Sequence, residues 1–275
     1  MSHGSLAKPI SRGKLVIRKE LDEIIMLKAV LFDFNGVVIN DEWLHEKLLI
    51  EVLLDENLRV TPEEMQQFVP GRTDRSALVD ACNLRERVLT AAALDGMIQR
   101  KALAYEREIN QLESLPIYDG VIESIEILRN AGCKLAIVSG GLRSEITLVL
   151  ERSGLKDAFE FIVAADDVMA SKPEPEGYLL GIRLMQEMFP ELELTPENFL
   201  AIEDSFPGIK AAKAAGIGVV GVAHRYPFHM MQRTASWAVD SLLDLELPRL
   251  IPSLAETIEP LEEAELIEPV EEIAE

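Results

Sequence analysis

The stretch Leu27 to Asp41, LKAVLFDFNGVVIND, constrains the fold of this chain more than any other. Ala29, Val30, Leu31 and Phe32 form a continuous apolar run. Such a run suits a central strand of a parallel sheet, buried on both faces. It ends in a carboxylate, Asp33, and Asn35 and Gly36 follow within three residues. Parallel sheets place their ligand sites in the crevice beyond the carboxyl ends of the strands. An aspartate at that point, followed by a glycine that lets the backbone turn sharply, is placed for chemistry rather than for packing.

Beyond Asp41 the period of the apolar residues becomes helical. Trp43 to Glu56 repeats them at three- and four-residue spacing, and Arg85 to Glu113 does so again. The turn-rich VPGRTDRSA, Val69 to Ala77, lies between. Residues 42–115 therefore read as a small all-helical unit inserted into an α/β core made of 27–41 and 116–250. The core pattern resumes with a helix from Val121 to Asn130 and a strand at Lys134–Val138. The turn Ser139-Gly140-Gly141 and a helix capped by Gly154 come next. A short strand at Phe161–Ala164 leads to a loop holding Ser171-Lys172-Pro173. The strand Phe199–Ile202 ends at Glu203-Asp204, Pro207 opens a further helix, and Ile217–Ala223 reads as another buried strand. Strands alternating with helices predict an α/β fold with a doubly wound parallel sheet.

Charge and composition narrow the function classes. The net charge of −21 argues against nonspecific binding to nucleic acid or to acidic membranes. Nine of those charges come from the glutamates of residues 251–275, a stretch without Lys, Arg or Asp. That tail is read as a disordered, solubilising segment, and residues 1–26 as an N-terminal extension in which Met26 offers a second candidate start. Cys82 and Cys133 form no CxxC and no metal-ligand spacing, which suits a reduced, cytoplasmic protein. No apolar stretch approaches the ~18 residues of a membrane-spanning helix, and no secretory signal is expected.

Four loops follow four predicted strands, and each supplies a distinctive polar group: Asp33 with Asn35, Ser139, Lys172, and the pair Glu203-Asp204. A parallel sheet brings such loops to one edge. The inventory suits phosphoryl transfer. A carboxylate can act as nucleophile, further acids can hold Mg²⁺ through oxygen, a lysine offsets phosphate charge, and a hydroxyl with backbone N–H groups at a helix start binds phosphate oxygens.

The ordered set DFNGV, SGG, KPEP and EDSFPGIKAAKAAG resembles the four motifs of the haloacid dehalogenase-like (HAD) superfamily. Its β-phosphoglucomutase-like and phosphoglycolate-phosphatase-like branch is the nearest likeness. The resemblance spans Leu27 to about Leu247 and includes a helical cap inserted after the first strand. It implies a Rossmann-like core, an Mg²⁺-dependent phosphatase acting on a small phosphorylated metabolite, and Asp33 as the nucleophile that becomes an aspartyl phosphate. Ser139, with Gly140 and Gly141, would bind the phosphoryl oxygens, and Lys172 would orient the nucleophile. Asp33, Asp204 and the Asn35 carbonyl would hold Mg²⁺, with Glu203 as ligand or supporting base. Gly71 and Arg72 fall where the family's cap presents its specificity loop, with Arg75 beside them. The family pattern has aspartate where this chain has Asn35, and an amide cannot shuttle a proton. General acid–base help is worth roughly 10²–10⁴-fold. A phosphomutase is the nearest enzymatic alternative to the phosphatase, although it needs that aspartate even more, and Asn35 keeps open a binding or regulatory protein that turns over poorly. His45 reads as a locally packed helix histidine, His224 and His229 have no assigned role, and no protein partner is identified.

Overall fold

The computed structural model describes residues 27–246. The expectations for residues 1–26 and 251–275, and the end of the core at 247–250, lie outside the described residues. Among the described residues six strands form one sheet: β1 (Ala29–Phe32), β2 (Lys134–Val138), β3 (Ile162–Val163), β4 (Phe199–Glu203), β5 (Gly218–Val222) and β6 (Trp237–Val239). Their order is β3-β2-β1-β4-β5-β6 and every pairing is parallel. The order turns back at β1, so the sheet is doubly wound, and the crevice beyond the ends of β1 and β4 is the switch point at which such sheets hold ligands.

The apolar strands are explained by burial on both faces. Val30, Phe32, Leu135, Ile137, Leu200 and Ile202 point into one core with helices α5 (Val121–Asn130) and α6 (Arg143–Ser153). Ala29, Leu31, Ala136, Val138, Phe199 and Ala201 point into the other with α7 (Glu176–Met188) and α8 (Phe206–Ala214). The period-2 alternation thus separates two hydrophobic cores rather than a core from solvent. A further short helix, α9 (Phe228–Thr234), precedes the edge strand β6, which sequence periodicity did not reveal.

Between β1 and α5 the chain forms α1 (Glu42–Asp55), α2 (Pro62–Phe68), α3 (Asp74–Asn83) and α4 (Ala91–Gln111). Leu49, Val52, Met65, Leu78, Ala81, Leu94 and Met97 from these helices bury one another in a separate cluster. The inner ends of α1 and α4 reach the main core through Leu44, Leu48, Tyr105 and Ile109. Two details differ from the sequence reading. The stretch expected to be a turn from Val69 to Ala77 already contains the start of α3, because Thr73 caps that helix with its hydroxyl. The periodic stretch from Arg85 begins as a helix only at Ala91, where Thr90 supplies the cap.

Candidate active site

Register places the site. Phe32 pairs with Ile202 and with Ile137, so Asp33 and Glu203 leave the sheet side by side, with Ser139 one residue beyond the end of β2. The Asp33 N–H donates to the Ile202 carbonyl at 2.9 Å, which extends the ladder to the aspartate itself. Gly36 then turns with φ +81°, and a Cβ there would lie 2.1 Å from an Asp204 carboxylate oxygen. Only glycine allows the loop to pass so close to that carboxylate.

Lys172 stands at the centre of the charge arrangement. Its Nζ lies 2.9 Å from Asp33 Oδ1 and 2.6 Å from Glu203 Oε1, and it donates to the Val138 carbonyl at 3.1 Å. Burial alone would push the ammonium down, but Asp33 and Glu203 hold it above its ordinary range. Glu203 is completely buried. Its carboxylate also accepts from Tyr178 (2.7 Å) and Ser205 (3.2 Å) hydroxyls. Burial first, then the charge of Asp33, raises its pKa to about 7 against the pull of Lys172. The start of α8 fits tightly over it, since a Cβ on Gly208 would come within 2.0 Å of Glu203 Oε2. Asp204 is raised well above the usual carboxylate range, by burial before all else, with Arg225 opposing the rise.

Asp33, Glu203 and Asp204 can each bring an oxygen within 4.8 Å of the others. Buried carboxylates this close repel one another, and a hard divalent cation with oxygen ligands relieves that repulsion. The donor set therefore fits Mg²⁺. Asp33 and Asp204 are the better suited ligands, because the oxygens of Glu203 are engaged by Lys172, Tyr178 and Ser205.

Asp33, Asn35, Gly71, Arg72, Ser139, Gly140 and Gly141 line one cleft of about 50 Å³. The Ser139 hydroxyl accepts from the Gly141 N–H at 3.0 Å, fixing the turn ahead of α6. The loop before α3 is seated on this turn: a Cβ on Gly140 would meet the Arg72 carbonyl at 2.9 Å, and the Thr73 N–H donates to Ser171 Oγ at 2.9 Å. Arg72 pairs with Asp80 at 2.5 Å, while its buried Nε has no hydrogen-bond partner. Arg75 instead pairs with Asp95 on the exposed side of the helices.

The profile of haloacid dehalogenase-like hydrolases matches residues 30–222, which contain every one of these loops. The chain belongs to the haloacid dehalogenase-like hydrolase family. Protein YhcW of Bacillus subtilis (strain 168) is 29% identical over 229 residues, covering 83% of this chain and 98% of its own length. A phosphorylated carbohydrates phosphatase of Thermotoga maritima is 29% identical over 201 residues, covering 72% of this chain and 86% of the relative. Among solved structures, β-phosphoglucomutase of Clostridium difficile superposes with a TM-score of 0.71 at 21% identity, covering 84% of this chain and 99% of that one. A variant of CbbY from Rhodobacter sphaeroides, in complex with xylulose-1,5-bisphosphate, gives 0.70 at 24% identity, covering 82% and 100%. These two likenesses are likenesses of fold.

This HAD-like hydrolase surrounds Asn35 with groups that sequence reasoning passed over. The Asn35 amide donates to Asp41 Oδ1 at 2.9 Å and Oδ2 at 3.1 Å, and lies 3.0 Å from His45 Nε2. Asp41 is buried, also accepts from the Tyr105 hydroxyl, and has its carboxyl pKa held low: burial would raise it, but His45, Asn35 and Tyr105 prevail. His45 Nδ1 faces Lys101 Nζ at 2.5 Å, and Lys101 reaches Glu145 at 3.1 Å. Asp74 Oδ2 lies 2.9 Å from the same ammonium, paired by charge rather than by an aligned hydrogen bond. Burial and Lys101 lower the proton affinity of His45, while Asp41 and Glu145 raise it and win. His45 is thus a member of the cleft wall, not merely a packed helix residue. Its i,i+4 spacing from Asp41 on α1 was the one available signal. His224 also has a place: its Nδ1 donates to the Gly36 carbonyl at 2.8 Å and its ring stacks on Tyr118.

Proposed function

We propose that this hydrolase is an Mg²⁺-dependent phosphatase that cleaves a small phosphorylated metabolite through a phosphoryl group carried on Asp33. The observation that carries the reading is the placement of Asp33 at the sheet edge, 2.9 Å from Lys172, on the same cleft wall as the Ser139-Gly140-Gly141 turn. Relatives that include a phosphorylated carbohydrates phosphatase support it. Asp33 attacks phosphorus, the bond to the leaving oxygen breaks, and water then releases phosphate and restores the carboxylate. Lys172 holds Asp33 in its aim, and Glu203, gripping Lys172 from behind, keeps the lysine in place. Ser139 and the N–H groups that open α6 receive the phosphoryl oxygens. Asp33, Asp204 and the Asn35 carbonyl would hold Mg²⁺, which would supply charge to offset that of the phosphate.

The proton required by the leaving oxygen is assigned to His45, whose Nε2 lies beside Asn35 on the cleft wall. Asp41 holds its imidazole from one side and Lys101 from the other. Helices α1–α4 act as the cap. The loop bearing Gly71 and Arg72 forms the cap side of the cleft, where a substrate bound at Asp33 would meet it. Mg²⁺-dependent phosphate release tests the reading on a panel of sugar phosphates, phosphoglycolate, p-nitrophenyl phosphate and acetyl phosphate. Turnover of alkyl phosphates that is lost in Asp33→Asn is the expected result. Activity confined to p-nitrophenyl and acetyl phosphate, which need no leaving-group proton, would favour the poorly turning-over binder.

A further inference from the structure

The loop that follows β5 brings an arginine into contact with the proposed metal site. The Arg225 side chain is only 12% exposed. Its Nε donates to Asp204 Oδ2 at 3.2 Å, its Nη2 donates to Glu42 Oε1 at 3.1 Å, and its Nη1 lies 3.7 Å from Glu46 Oε1. The fork therefore spans two elements: it holds Asp204, at the end of β4, against the first turn of α1. The same oxygen of Asp204 is closed off on a second side, because the Gly36 Cα hydrogen points at it and a Cβ there would sit 2.1 Å away. Asp204 Oδ2 is committed to these neighbours, and Oδ1 is the oxygen left to take an ion.

We infer that Arg225 is a selectivity residue that restricts Asp204 to one-oxygen coordination and so makes the site favour Mg²⁺ over Ca²⁺. The inference rests on the metal site proposed above. Mg²⁺ demands a near-ideal octahedron and uses one or two carboxylates with retained waters, whereas Ca²⁺ takes six to eight oxygens and accepts both oxygens of one carboxylate. A guanidinium covering one oxygen of Asp204 costs Mg²⁺ nothing in coordination and denies Ca²⁺ a bidentate ligand. Its positive charge repels both divalent ions alike, so that effect changes both affinities and leaves their ratio in place. The two consequences of removing Arg225 are therefore separable.

Calorimetric titration of the full-length protein with MgCl₂ and with CaCl₂, each alone and without substrate, measures the ratio directly. In Arg225→Met the preference for Mg²⁺ over Ca²⁺ is expected to fall by about an order of magnitude, mainly through tighter Ca²⁺ binding. Arg225→Gln, which keeps a weaker donor near Oδ2, is expected to show a smaller fall, and it serves if the methionine variant does not fold. A ratio equal to that of the unmodified protein in a folded variant overturns the inference and leaves the metal site standing. Absence of Mg²⁺ binding by the unmodified protein overturns both.

Discussion

Asn35 and Asp41 are best understood as a pair. The amide at 35 lies within 3.1 Å of both oxygens of the buried carboxylate at 41, so the negative charge is carried by Asp41 and the hydrogens by Asn35. Asn35→Asp by itself would set two carboxylates about 3 Å apart in a buried site, and it is expected to lower stability at neutral pH by on the order of 2 kcal/mol. Adding Asp41→Asn should recover most of that loss, and a double-mutant cycle read by chemical denaturation checks the coupling. Effects that simply add, with no recovery in the double variant, would show that the pair is not coupled. Lys101 is the counterpart of this arrangement at the other side of His45. Lys101→Met leaves Asp74 and Glu145 without their cation and is expected to cost about 3–5 kcal/mol in the same assay. Asp33, Ser139, Lys172 and Glu203-Asp204 were legible in the sequence because each follows a recognisable strand. His45, Lys101 and Arg225 were not, because their meaning depends on which helix face meets which loop, and no local pattern records that.

At the scale of elements, tight backbone passages fix where the acids point. Gly208, in the first turn of α8, leaves no room for a Cβ beside the Glu203 carboxylate. Gly208→Ala is expected to displace Glu203 or the helix, with a loss of about 1–3 kcal/mol and weaker Mg²⁺ binding, measured by thermal unfolding with and without the ion. The strands and the glycine-capped helices α5 and α6 could be read from periodicity, whereas α2, a seven-residue helix, and β6, a three-residue edge strand, are too short for a period to stand out. The residue leading into β2 carries an independent probe. Burial holds the Cys133 thiol up to about 11, above its ordinary value of 9.0. Between those values the unfolded chain has released the proton that the native chain retains, so stability should fall as pH rises through this window. The difference between the unmodified protein and Cys133→Ala isolates that slope from the other groups that titrate there. Equal slopes would show that the thiol is not shielded in the native state.

For the molecule as a whole, the sheet order and its switch point gather motifs that lie 170 residues apart, Asp33 to Glu203, into one crevice. A saturating ion that binds only the folded chain raises its stability, by about 2.7 kcal/mol at 100 times the dissociation constant. Mg²⁺ is accordingly expected to raise the melting temperature of the unmodified protein and to do so much less in Asp204→Asn. The general class of chemistry was readable before the structure because four loops in a parallel sheet share one edge. The seating of the Gly71–Thr73 loop on Gly140 was not, since it arises from packing between helices and core. In the proposed reaction Asp33 carries the phosphoryl group. Rapid quenching of the protein with Mg²⁺ and ³²P-labelled acetyl phosphate, followed by peptide mapping, tests it most directly. Acid-stable, base-labile label is expected on the peptide containing Asp33, and none in Asp33→Asn. Phosphate release from the unmodified protein with no label on that peptide would contradict it.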